Sequence, residues 1–214
     1  VIPAFRISDE ALDKDVALME RLGVEVKCGA PAPSVAELKK MGYTHILMAT
    51  GAWQAGELGI PGNVRGVIAW MKEMKQQVKP CLEGHVVVVG AGNTAMDAAR
   101  VAKRMGAASS TIVYRRTKKE MPADEHELKL AIDEGVNLVE LAAPVEQKDG
   151  KLICNQMKLG EPDASGRRSP VATGETFEIP CDLVLSAIGE KVDAKLMADN
   201  GIEMGRKGPA FKTN

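Results

Sequence analysis

The first part of the chain spaces its apolar residues as helices do. Leu12, Val16, Met19 and Leu22 follow Ser8, Asp9 and Glu10 and stop at Gly23, which predicts a helix with Ser8 as its N-cap. Residues 24–27 read as a short strand. Residues 30–34 form a turn, and Ser34 with Glu37 can make a capping box for a short helix reaching Met41. His45-Ile46-Leu47-Met48-Ala49-Thr50-Gly51 is a largely apolar run ending in small residues, the pattern of a buried parallel strand. Residues 58–66, with Ile60-Pro61-Gly62, read as a loop. Residues 68–78 read as a helix with Met71, Met74 and Val78 on one side, where core packing accounts for the methionines.

After Pro80 strands and helices alternate. Residues 86–89 are an all-valine strand, 93–105 an alanine-rich helix and 110–114 a second strand. Pro122 opens a helix running to Gly135, with Asp124, Glu125 and Glu127 near its start. Residues 136–141 are a third strand. Between 145 and 180 the polar stretch Gly160-Glu161-Pro162-Asp163-Ala164-Ser165-Gly166-Arg167-Arg168 reads as the loop of an antiparallel hairpin or meander. Residues 182–189 form a last buried strand, whose small–x–Gly ending echoes that of 45–51. Alternation of this kind predicts an α/β fold on a doubly wound parallel sheet.

Composition narrows the function. Of 214 residues, 28 are Lys or Arg and 29 Asp or Glu, a formal charge of −1, and no basic stretch is interleaved with aromatics. A nucleic-acid partner is therefore not expected. No apolar run has the length of a membrane span. Cys28, Cys81, Cys154 and Cys181 stand far apart without a C-x-x-C pair, so neither an iron–sulfur cluster nor a zinc ribbon is supported within this chain. Buried or inert thiols in a reducing cytosol fit better. The opening Val1-Ile2-Pro3-Ala4-Phe5-Arg6 lacks an initiator Met and any leader pattern, so the sequence is expected to be part of something longer.

The chemistry sits where the valine strand ends. Gly90-Ala91-Gly92-Asn93-Thr94-Ala95 has the G-x-G-x-x-A form. Gly90 permits a tight turn, Gly92 removes the side chain that would block a pyrophosphate, and Ala95 lets the helix approach the strand. N–H groups at the helix start then face the phosphates. The string alone is weak evidence; its place between a strand and a helix favours a dinucleotide site over a structural glycine turn. The second strand ends Tyr114-Arg115-Arg116-Thr117-Lys118-Lys119, where an NAD site carries an acidic residue for the ribose. Two arginines here suit a 2′-phosphate, so NADP is preferred over NAD; a solvated basic turn is the alternative.

Other patterns carry less. Tyr114 and Lys118 form Y-x-x-x-K, but at a strand end and without a partner serine. His45, His85 and His126 have no metal-like spacing. Arg100, Lys103 and Arg104 read as the solvated face of the glycine-loop helix. No G-x-S-x-G or Walker A string occurs, so no catalytic acid, base or nucleophile and no metal site is assigned.

Over nearly its full length the chain resembles the NADPH- and FAD-dependent family of the glutamate synthase small (beta) subunit, and in wording its selenate-reductase-like branch. The matching residues are Ile2-Pro3-Ala4-Phe5-Arg6, Ala49-Thr50-Gly51-Ala52, Gly90 to Asp97, Tyr114-Arg115-Arg116 with Met121-Pro122, Gly160 to Arg168, and Ala187-Ile188-Gly189. The resemblance implies an NADPH domain inserted into an FAD domain: residues 1–82 a partial FAD-binding domain and linker, 83–190 the Rossmann-like NADPH domain, and 191–214 the start of the return. It implies that NADPH gives hydride to flavin and that electrons leave through iron–sulfur centres outside this chain, in acceptor-reducing domains or subunits of the parent. It assigns Gly90, Gly92, Asn93, Thr94 and Ala95 to the pyrophosphate, and Arg115, Arg116 and Lys119 to the 2′-phosphate. Thr50, Gly51, Ala187 and Gly189 become backbone turns near the flavin–nicotinamide junction.

The family's first FAD glycine loop, its later Gly-Asp motif and its cysteine-rich segments are not in this sequence. Alone, the segment is expected to bind NADPH weakly and FAD hardly at all. Two rival readings are a non-catalytic NADP-binding sensor or scaffold, and a complete NAD(P)-only dehydrogenase, which no Tyr–Lys–Ser or His–acid set supports.

Overall fold

The computed structural model describes residues 1–164, 166–205 and, for the backbone alone, 208–209; Ser165 and Asn214 of the sequence reading lie outside them. Two compact units share the chain: Val1–Pro3 with Ala55–Gly189, and Ala4–Gln54 with Glu190–Asn214.

The larger unit holds a five-stranded parallel sheet. Its members are β1 (Val64–Gly66), β2 (His85–Val89), β3 (Ser109–Val113), β4 (Asn137–Val139) and, after a long excursion, the strand Leu183–Ser186. The excursion is an antiparallel meander of β5 (Ala142–Lys148), β6 (Lys151–Pro162) and β7 (Arg168–Pro180), so Leu183–Ser186 is β8. The parallel order is β1-β8-β2-β3-β4. Helices α3 (Val67–Lys75), α4 (Asn93–Arg104) and α5 (Glu125–Asp133) complete the unit. The expected parallel α/β architecture is present.

Alternation along the strands decides which layer covers each face. Val86, Val88, Ile112 and Leu185 pack in one core with Trp70 and Met74 of α3, Ala95, Ala98, Ala99 and Ala102 of α4, and Ala131 of α5. Val87, Val89, Val113 and Val184 point the other way, into a core with Ala142, Leu152, Cys154 and Ile179 of the meander. Helices therefore take one face and the antiparallel sheet the other. The hairpin expected around Gly160–Arg168 joins β6 to β7, where the Asp163 carboxylate accepts from the Arg167 N–H at 3.0 Å.

Several expectations shift. The loop over 58–66 ends in edge strand β1, paired with β8. Helix α3 stops at Lys75, and Val78 is 95% exposed rather than packed. Helix α5 begins at Glu125 behind an Asp124 cap, not at Pro122. Arg100 is not on a solvated face: it is 5% exposed, 2.7 Å from Glu134 and 3.7 Å from Glu127. Burial of a guanidinium is tolerated because carboxylates from α5 and its C-cap meet it.

Glu134 also accepts from Arg104 at 2.7 and 3.0 Å, and that hydrogen bond, with Arg100, holds its carboxyl down to about 2 from an ordinary 4.5. A depressed carboxyl stabilises the fold above pH 4.5, and the contribution is lost as pH falls towards 2. We expect Glu134→Gln to cost about 2 kcal/mol at neutral pH after allowing for screening, and to flatten the acid limb of urea-denaturation stability. An unchanged acid limb would show that the pair is not the source.

In the second unit α1 (Asp9–Arg21) has the Ser8 cap, and α2 (Val35–Lys40) has the full Ser34–Glu37 capping box. The Val35 N–H donates to the Asn200 side chain at 2.8 Å, tying α2 to the end of α6 (Ala194–Asp199). The strands expected over 24–27 and 45–51 are not formed; Leu47 is 91% exposed. An apolar run becomes a buried strand only where neighbouring strands accept its backbone groups, and no such ladder meets these runs among the described residues.

Candidate dinucleotide site

Strand β2 delivers the chain to the glycine loop between its two parallel neighbours. The Gly90 N–H donates to the Val113 carbonyl at 3.1 Å, and the Ala187 N–H to the Val89 carbonyl at 2.9 Å. Gly90 has φ +142, and a Cβ built on it would stand 2.2 Å from the Ala187 carbonyl oxygen. Only glycine fits. Gly92 differs: apart from its chain neighbours, its Cβ would meet nothing among the described residues within 4 Å, so its missing side chain leaves open space beside the loop.

Helix α4 starts at this space. Gly92 is its N-cap and brings no capping side chain, while the Ala95 and Met96 N–H groups donate to the Gly92 carbonyl at 2.9 and 3.2 Å. The first N–H groups and the positive helix end thus border the opening. Ala95 is fully buried, as the close helix–strand approach requires. Asn93 reaches sideways: its Oδ1 accepts from the Asp124 N–H at 3.3 Å, and the Ala91 carbonyl from Ala123 at 3.0 Å, fastening the start of α5 to the loop.

The basic turn leaves β3 one strand away. Arg115, Lys118 and Lys119 are exposed, whereas Arg116 is 8% exposed with a buried Nε that has no hydrogen-bond partner among the described residues. The Glu120 carboxyl is lowered chiefly by the Thr117 hydroxyl bond, and also by the Arg116 charge. Tyr114 spends its hydroxyl on the Glu120 carbonyl at 2.9 Å, which removes it from the Y-x-x-x-K reading.

Ala187 joins the glycine loop directly, and two residues on the Gly189 carbonyl accepts from Gly56 at 2.7 Å. Thr50 and Gly51 belong to the other unit, where the Trp53 indole donates to the Thr50 carbonyl at 2.7 Å. Residues that the sequence did not single out border the arginine turn. The Glu140 carboxylate accepts from the Lys118 N–H, and the Leu141 N–H donates to the Arg116 carbonyl at 3.1 Å. Leu141 does so at φ 53, a left-handed conformation that costs a leucine about 1–2 kcal/mol. Nothing in its residue type signals that.

All four cysteines are free; burial pushes Cys154 up to about 11 and Cys181 to about 12, so neither offers a thiolate near neutral pH.

The family model described as pyridine nucleotide-disulphide oxidoreductase matches residues 11–212. The chain is 38% identical to YgfK of Escherichia coli (strain K12), over 97% of this chain and 21% of that protein. It is 33% identical to the glutamate synthase [NADPH] small chain of Azospirillum brasilense, over 88% of this chain and 44% of that one. It thus spans less than half the length of these relatives. Among solved structures, Mycobacterium tuberculosis FprA in complex with NADPH shares the fold, with TM-score 0.63 and 18% identity over 81% of this chain and 55% of that chain. This chain belongs to the pyridine nucleotide-disulphide oxidoreductase family, and glutamate synthase small chains are among its homologues.

Proposed function

We propose that the chain is the NADPH-binding, electron-entry part of an FAD-dependent oxidoreductase that passes reducing equivalents on to iron–sulfur centres elsewhere in the parent protein. The carrying observation is the contrast at the glycine loop: Gly90 is locked against Ala187, while the Gly92 position opens onto space at the start of α4. The buried Arg116 Nε without a partner, beside exposed Arg115, fits a nucleotide carrying a further phosphate.

Within this reading Gly90, Gly92 and Ala95 shape the cradle, and the N–H groups of Asn93 and Thr94 face the pyrophosphate. Arg115, Arg116 and Lys119 hold the 2′-phosphate. Thr50, Gly51, Ala187 and Gly189 are read as backbone turns near the flavin–nicotinamide junction. NADPH when bound supplies a hydride, and FAD accepts it. Positioning is the protein's own task. We read residues 83–190 as the NADPH domain, to which β1 and α3 of the same compact unit attach, and the remainder of 1–82 with 191–214 as flavin-domain pieces, in a cytoplasmic parent with further domains or subunits. No helix among the described residues is long and apolar enough to cross a membrane.

Stopped-flow mixing of the full-length parent with NADPH tests this. Flavin absorbance should bleach rapidly with NADPH and far more slowly with NADH. A full-length protein that purifies without flavin and binds NADPH would establish the sensor reading instead.

A further inference from the structure

The arginine turn is held from below by the segment joining β4 to the meander. The Tyr114 N–H donates to Val139 at 3.0 Å, Ala142 to Tyr114 at 3.0 Å and Leu141 to Arg116 at 3.1 Å. The Glu140 carboxylate accepts from the Lys118 N–H. On its other side the Leu141 carbonyl accepts from the Met157 N–H at 2.7 Å and from Gln156 Nε2 at 3.2 Å, so β6 backs the same segment. Leu141 keeps its left-handed backbone at φ 53 in the middle of this set. Strain of that kind persists where the surroundings over-determine a conformation, and it collects at ligand clamps.

Arg115 is exposed, so packing does not aim it; the turn's backbone does. A carboxylate beside cations intended for a phosphate opposes the phosphate by charge. Its presence is accounted for by what it holds, the Lys118 N–H.

We propose that Glu140 is a positioning residue for cofactor choice: by fixing the turn at Lys118, on the segment braced by Leu141, it sets Arg115 where a 2′-phosphate arrives. The proposal rests on the NADP reading of the site. Preorganising the loop lowers the entropy lost on binding, and it does so only for the nucleotide that uses the turn.

Two variants of the full chain separate position from charge. Glu140→Gln and Glu140→Ala both remove the charge, but only glutamine keeps an acceptor for Lys118. Titration with NADP+ and NAD+ should show the NADP+ preference of Glu140→Ala about tenfold below that of Glu140→Gln, with NAD+ affinity equal in the two. Equal preferences in the two variants would overturn the proposal. A proportional loss of both nucleotides in Glu140→Ala would also overturn it, in favour of a purely structural role. A wild-type chain with no preference would sink the NADP reading itself, a result distinguishable from either.

Discussion

Gly90→Ala is expected to destabilise the chain by about 3 kcal/mol, while the same methyl at Gly92 leaves stability within about 0.5 kcal/mol and abolishes nucleotide binding. The two residues stand two apart in one loop, yet their surroundings are opposite. A Cβ on Gly90 meets the Ala187 oxygen at 2.2 Å and the Ala187 carbonyl carbon at 2.8 Å, and its φ of +142 disfavours any side chain. That oxygen is backbone of the residue that follows β8, one strand over, and does not yield as a flexible side chain would. Apart from its chain neighbours, a Cβ on Gly92 meets no atom of the described residues within 4 Å. The new methyl occupies only the space read as the pyrophosphate's. Urea midpoints and nucleotide titrations on both variants check the pair. Equal destabilisation, or full affinity in Gly92→Ala, would show that the open space is not the ligand's.

Arg115→Ala should weaken NADP+ binding by about 10- to 100-fold and leave NAD+ unchanged, because a charged hydrogen-bonding pair is worth about 1.5–3 kcal/mol. The side chain is exposed, so its removal opens no cavity and the fold should melt as before. Arg116→Ala is the less clean experiment. That guanidinium is buried, and its carbonyl is held by Leu141, so loss of packing would accompany any loss of affinity. If Arg115→Ala keeps its full preference for NADP+, the basic turn is a solvated one.

What the sequence revealed was mostly local. The Ser8 cap, the Ser34–Glu37 capping box and the strand–glycine–helix passage at 86–95 are each decided within a few residues, and each is present. Long-range partners were not legible. Arg100 reads as solvated on helical spacing alone, because its acceptor Glu134 lies 34 residues on. The three residues of β1 give no periodicity to detect, and they become a strand only by pairing with β8, over a hundred residues later. The run 45–51 has the composition of a buried strand, but composition supplies no neighbour to bond it.

The candidate site divides in the same way. Gly90, Gly92, Ala95 and Arg115 follow from the spacing of a known turn chemistry. Glu140 and Leu141 do not, since their relation to Arg116 and Lys118 exists only once β3 and β4 lie side by side. The meander was visible as polar turn residues between strands, but its role as the second cover of the sheet comes from which valines face Leu152 and Ile179.

The central claim is that the loop and turn together hold an NADP-type nucleotide. Its most direct measurement is a calorimetric titration of the wild-type chain with NADP+ and with NAD+ at low ionic strength. The account predicts that NADP+ binds at least about tenfold more tightly. Equal affinity for the two would contradict it.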